Sequence, residues 1–217
     1  MQKKLEFRCR KQMRFCEFDY NEKATPMKFI TVLISVSLPF AFAQSWEIDP
    51  AHASAQFSVR HMMISNVKGE FTKVTGKVVY DPKNIAGASL EAFIDTNSIT
   101  TREPRRDTHL KSADFLDVAK FPTIQFKSTK FVKAASGLTI LGDLTIHGVT
   151  KPVTLVVDGP SPEIIDPRSG PKIGASATTK INRKDFGMTY NALVEAGGMV
   201  VGEEVTISID VELVKKK

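Results

Sequence analysis

The chain has 217 residues and carries 30 Lys/Arg against 24 Asp/Glu, a formal net charge of +6. Eight of those bases and four of those acids precede Gln44; taken from 30 and 24 they leave 22 and 20, a net of +2 over residues 44–217, too little to argue for a nucleic-acid partner. Both cysteines, Cys9 and Cys16, also precede Gln44, so the remaining 174 residues offer no disulfide, thiol nucleophile or cysteine-ligated metal and need a hydrophobic core of ordinary single-domain size.

Residues 1–26 show no sustained period and fit no signal pattern. Met27-Lys28 opens one that does. A single charge is followed by the apolar run FITVLISVSLPF, too short to span a bilayer, and then by Ala41-Phe42-Ala43. The expectation is a start at Met27 with residues 1–26 as a mis-assigned extension, a secretory signal peptide over 27–43, and one exported domain over 44–217.

Within that domain the period is two. Phe57, Val59 and His61 share a parity on the first expected strand, which would point His61 inward as a hydrogen-bonded core histidine. Residues 67–80, VKGEFTKVTGKVVY, change phase: Val67 and Phe71 hold one parity and Val74, Val78 and Tyr80 the other, so a bulge or turn is expected near Lys73. Leu90, Ala92 and Ile94 mark another strand. A helical turn is expected over 112–118, with Ser112 as its N-cap.

In TIQFKSTKFV (123–132) the apolar set is Ile124, Phe126 and Val132, with Phe131 out of frame. LTILGDLTIHGVTKPVTLVV (138–157) reads as a hairpin about His147–Lys151. IGASATTKI (173–181) alternates weakly, with small residues that narrow a barrel wall or leave room inside it. A second helical turn is expected at 183–187. Finally, VTISIDVELV (205–214) puts Val205, Ile207, Ile209, Val211 and Leu213 on one face. Many strands with almost no helix imply an antiparallel barrel or sandwich, and no second apolar stretch is long enough to cross a membrane.

Ionisable groups concentrate in RRDTHLKSADFLDVAKFP (105–122). No nucleophile frame, P-loop or dinucleotide-binding glycine pattern occurs, so no catalytic residue is assigned. The four histidines, His52, His61, His109 and His147, lie on separate segments with no ligand spacing; a metal would require His61 and His109 to converge, and none is expected. The bland reading of the loop has Asp107 or Asp114 capping a turn, and Arg105 and Arg106 pairing with acids on adjacent strands. The alternative is an amphiphile pocket. Phe57, Phe71, Phe115, Phe121, Phe126 and Phe186 would line it, with Arg106, Lys111 and Arg183 at an anionic head group. Spacing alone leaves open whether those rings fill the core or surround a cavity. The charge density at what would be a barrel mouth favours the cavity.

Four segments, SAQFSVRHMMISNVKGEF, RRDTHLKSADFLDVAKFPTIQFKST, LGDLTIHGVTKPVTL and INRKDFGM, taken together and in this order, resemble the YceI-like family of periplasmic polyisoprenoid-binding proteins, from about Trp46 to Leu213. The resemblance implies a lipocalin-like antiparallel barrel of about eight strands with one or two short helices. It also implies a tunnel for a polyisoprenoid or fatty-acid-like lipid, a periplasmic or extracellular location, a homodimer, and association with membrane b-type cytochromes. The ligand-binding candidates are Phe57, His61, Phe71, Arg106, His109, Phe115, Phe121, Phe126, Arg183 and Phe186. The expected function is a cofactor-free, non-catalytic lipid carrier. The competing reading is an enzyme or redox-associated factor acting on a lipid quinone, with His109 and Asp107 handling protons.

Overall fold

The structure is a computed structural model that describes residues 44–134, 137–193 and 199–216; the expected extension and signal peptide lie outside these. In chain order its elements are β1 (Ser45–His61), β2 (Ser65–Phe71), β3 (Val74–Val79), β4 (Ser89–Asp95), β5 (Ile99–Thr100), α1 (Pro104–Lys111), β6 (Thr123–Ala134), β7 (Gly137–Ile146), β8 (Val149–Asp158), β9 (Ile164–Asp166), β10 (Gly170–Asn182) and β11 (Val201–Lys215). All pairings are antiparallel. The order β11-β10-β8-β7-β6-β4-β3-β1 closes on itself because β1 also pairs with β11 over most of its length, which makes an eight-stranded barrel.

Closure follows from the pattern of side chains. Period-two alternation gives each strand one apolar face, and a barrel buries all those faces while leaving no open edge. On β11 the buried face is the expected one: Val205, Ile207, Ile209, Val211 and Leu213 all face the interior. The phase change near Lys73 is real. β2 ends at Phe71 and β3 begins at Val74, and the two pair with opposite halves of the long β1. The second phase anomaly resolves differently from its sequence reading. A bulge between Ser128 and Lys130 of β6 reverses the parity, so Phe131 turns inward and Val132 outward.

The helical turn expected at 112–118 lies one element earlier. α1 starts at Pro104, whose missing N–H costs nothing in a first turn. Its N-cap is Glu103, whose carboxylate accepts from the backbone N–H groups of Arg105 and Arg106. Ser112, expected to open a helix, closes this one, its hydroxyl donating to the His109 carbonyl. At 183–187 the expectation holds: Arg183–Phe186 form a 3-10 turn capped by Asn182.

The seam between β1, β10 and β11 is tied by charge. β1 changes register between Ile48 and Ala53, and there the Lys172 ammonium of β10, only 8% exposed, donates to Asp49 Oδ2 at 3.0 Å and Glu212 Oε2 at 2.9 Å. Hydrogen bonds from His52, from Lys172 and from the Ala51 N–H hold the Asp49 carboxyl at about 2, below its ordinary 3.8. A depressed carboxylate stabilises the fold fully above the unfolded value, and that contribution disappears as pH falls from there to about 2. Its size is on the order of 2 kcal/mol. Acid titration of stability, compared between the wild type and Asp49→Asn, should therefore differ most above about pH 5 and converge only below about pH 2.

Candidate functional site

The barrel is hollow. Its lumen holds a cavity of about 260 Å³, lined almost throughout by apolar side chains from every wall strand and from the segment after β5. That segment matters because β2 extends the sheet to short β5 rather than to β6. Leu110, Phe115 and Leu116, carried on and just beyond α1, supply interior surface at that end.

The phenylalanines do not plug the lumen, for a local reason. Gly69 is the register partner of Phe57, and a Cβ on Gly69 would lie 2.5 Å from Phe57 Cζ. A Cβ on Gly142 would likewise overlap Phe126 Cζ, although that ring reaches it diagonally and the register partner of Gly142 is Ser128. Each ring lies along the wall over a glycine of the next strand instead of projecting to the axis, a packing only a residue without Cβ permits. On β10 the inward positions Ala175, Ala177 and Thr179 are small and keep the centre open.

Of the ten residues singled out from the sequence, Phe57, Phe71, Phe115, Phe126 and Arg183 line this cavity. The other five do not. His61 sits at the end of β1, paired with Ser65 and Val201 and only half-buried, so the strand finishes before carrying it into the lumen. Arg106 donates from Nε to Thr101 Oγ1 at 2.7 Å and from Nη2 to the Thr101 carbonyl at 2.9 Å. Thr101 Oγ1 in turn donates to Asp107 Oδ1 at 2.5 Å, and that oxygen also accepts the Thr101 N–H. Arg106 and Asp107 thus lock α1 to the end of β5, and the acids expected across from Arg106 are replaced by a threonine.

His109 pairs through Nε2 with Asp114 Oδ2 at 2.8 Å, not with Asp107, and its ring meets those of Phe115 and Tyr190 edge-on. Phe121 packs on His147 in the β7–β8 turn, with ring centres 4.7 Å apart. Phe186 is buried in the core cluster and packs with its 3-10 turn against β8, without lining the cavity.

Arg183 is the charged residue of the cavity lining. It is 3% exposed and donates from Nε to the Gly202 carbonyl at 2.8 Å, from Nη1 to Met188 and from Nη2 to Val201 at 3.3 Å. No carboxylate lies within ion-pair distance among the described residues. Burial pushes its guanidinium down from the ordinary value, and the charge of Glu203 opposes the shift. All three nitrogens of the guanidinium thus donate to main-chain carbonyls, which fixes its plane within the wall.

Among the described residues, the group with metal-like spacing is Asp49, His52 and Glu212. The Lys172 ammonium already occupies the position between its carboxylates, so the cation those oxygens face belongs to the protein. The sequence reading missed the aliphatic majority of the lining and the two glycines. The signal for the lining was the alternation itself; the glycines were harder to read, since Gly69 faces Phe57 in register but Gly142 faces Ser128.

A model of the YceI-like domain matches residues 46–213. A UPF0312 protein of Vibrio cholerae is 42% identical over 161 residues, covering 70% of this chain and 82% of that one. The crystal structure of the Campylobacter jejuni YceI protein superposes with a TM-score of 0.59 at 29% identity, over 73% of this chain and 90% of that one. A polyisoprenoid-binding domain from Saccharophagus degradans shares the fold with a TM-score of 0.58 at 15% identity, over 79% of this chain and 98% of that one. The chain belongs to the YceI-like family.

Proposed function

We propose that this protein is an exported, non-catalytic carrier that takes the tail of a polyisoprenoid or other long-chain amphiphile into its lumen and meets the polar end with Arg183. The observation that carries the reading is the open apolar cavity. Empty apolar space inside a close-packed fold forfeits dispersion contacts and destabilises it, and a hydrocarbon restores them. The family, and the polyisoprenoid bound by the Saccharophagus degradans domain, support the same chemistry. The periplasm is the compartment in which the expected signal peptide and a cysteine-free domain agree.

The competing enzyme reading has His109 and Asp107 handling protons. Asp107 is instead engaged by Thr101, His109 pairs with Asp114, and neither residue lines the cavity, which favours the carrier.

A chain-length series of fatty acids tests the proposal. Each added methylene buried in the lumen contributes about 0.8 kcal/mol, so affinity should rise about fourfold per carbon and level off once the lumen is full. Affinity independent of length would place the tail outside the barrel and overturn the reading.

A further inference from the structure

The β1–β2 hairpin closes through the three residues Met62–Ile64, folded as a turn in which Ile64 N–H donates to the His61 carbonyl at 3.1 Å. Its central residues are Met62 and Met63, with φ of 47° and 63°. A turn with both central φ positive takes Asn-Gly at least cost, and bulky side chains there are strained. The β7–β8 turn meets the same demand with Gly148 in its second position. The methionines gain little packing in return: Met62 is 42% exposed and Met63 61%, beside Ile64 at 77%. Two large flexible side chains therefore occupy a costly conformation and point into solvent.

This tip continues into the lumen. Met62 N–H donates to the Val200 carbonyl, and the next residue, Val201, lines the cavity together with Val59 of β1. Leu193, 77% exposed, bridges to exposed Met199 beside it. Tyr190 reaches across to Phe115, another lining residue. Cations without an acidic partner flank this apolar end, while the nearby Asp114, Glu203 and Glu204 are matched by His109, Lys184 and Lys180 respectively. Arg60 Nη2 donates to the Met63 carbonyl at 2.8 Å, and α1, whose His109 touches Tyr190, contributes Arg105 and Lys111. Among the described residues none of the three has an acid within ion-pair distance.

From this arrangement we infer that the Met62–Ile64 tip, with Leu193 and Met199, is a docking surface for an anionic lipid bilayer. The apolar side chains enter the interface, Arg60 meets anionic head groups, and the lumen exchanges its tail with the membrane there. The inference builds on the carrier reading: a lipid that is insoluble in water needs a loading face, and this one adjoins the cavity. Cations beside exposed apolar side chains are the signature of interfacial binding, and they argue for a bilayer over a second copy of the same basic face, which would repel itself.

The test compares the wild type with Met62→Asn/Met63→Gly, a pair that suits the turn and should leave the melting temperature equal or higher. In co-sedimentation, the wild type should bind mixed phosphatidylcholine–phosphatidylglycerol vesicles more tightly than pure phosphatidylcholine. The variant should lose about tenfold or more of that affinity, while a soluble short-chain fatty acid still enters its lumen equally well. Wild type that ignores both vesicles, a variant that binds them as the wild type does, or a tip buried in a concentration-dependent dimer that leaves vesicles unbound would each overturn the inference. Vesicle binding without any fatty acid in the lumen would uphold the docking surface and sink the carrier reading. Fatty-acid binding without vesicle binding would do the reverse.

Discussion

Ala177→Phe is expected to eliminate hydrocarbon binding while leaving the barrel folded. Ala177 stands on the inward face of β10, in register with Val157 of β8 and Ile209 of β11, both of which also line the cavity. A phenyl ring added there projects into free space of about 260 Å³ and not into a packed core, so the usual cost of overpacking is avoided and stability should hold or rise. The ring takes the room of about four methylenes, and four at about 0.8 kcal/mol each come to about 3 kcal/mol, a loss of more than about hundredfold in affinity. Titration with a long-chain fatty acid, together with thermal unfolding, reads both halves. Unchanged affinity would mean that the tail binds elsewhere.

The second large effect concerns stability. Arg183→Ala removes three bonds from one guanidinium and leaves the Gly202 and Met188 carbonyls without their donor. The Val201 carbonyl is spared because Asn191 Nδ2 also donates to it, at 2.8 Å. Hydrogen bonds from charged donors contribute about 1.5–3 kcal/mol each, and orphaned buried acceptors add desolvation, so a loss of about 3–4 kcal/mol is expected. For a domain of this size that corresponds to a fall of roughly 6–16 °C in melting temperature. Arg183→Lys should recover little of it, because one ammonium cannot reproduce the planar fork that joins the 3-10 turn to the start of β11. A loss below about 1 kcal/mol for Arg183→Ala would show that the contacts to β11 and to Met188 do not hold that end of the barrel together.

How much of this was legible in the sequence depends on which physical signal each element left there. The strands were readable because a barrel wall has one wet and one dry face, and the phase change at Lys73 revealed the break between β2 and β3. The same signal misled at β6, where a bulge exchanges the roles of Phe131 and Val132 without any change in composition. α1 was misplaced because it buries no residue and so has no apolar stripe to read; it is specified by Glu103 and Pro104 at its start.

Among the candidate site residues, the phenylalanines on regular strand positions were found where alternation put them. Phe121 and Phe186 lie in a loop and a 3-10 turn, where parity says nothing about direction. Arg106 and His109 drew notice for their charge, yet their partners Thr101 and Asp114 are set by the helix and its capping turn. Only Arg183 combines charge with a place on the lumen wall, and its role depends on carbonyls nearly twenty residues downstream that no local pattern identifies.

Whether the lumen holds hydrocarbon is tested most directly by the mass of the intact, gently purified protein under native conditions. The expected spectrum shows a population heavier than the polypeptide by one long-chain lipid, released on denaturation and absent from Ala177→Phe. A wild-type protein that carries no lipid, and takes up none when a long-chain amphiphile is supplied, would contradict a hydrocarbon-holding lumen.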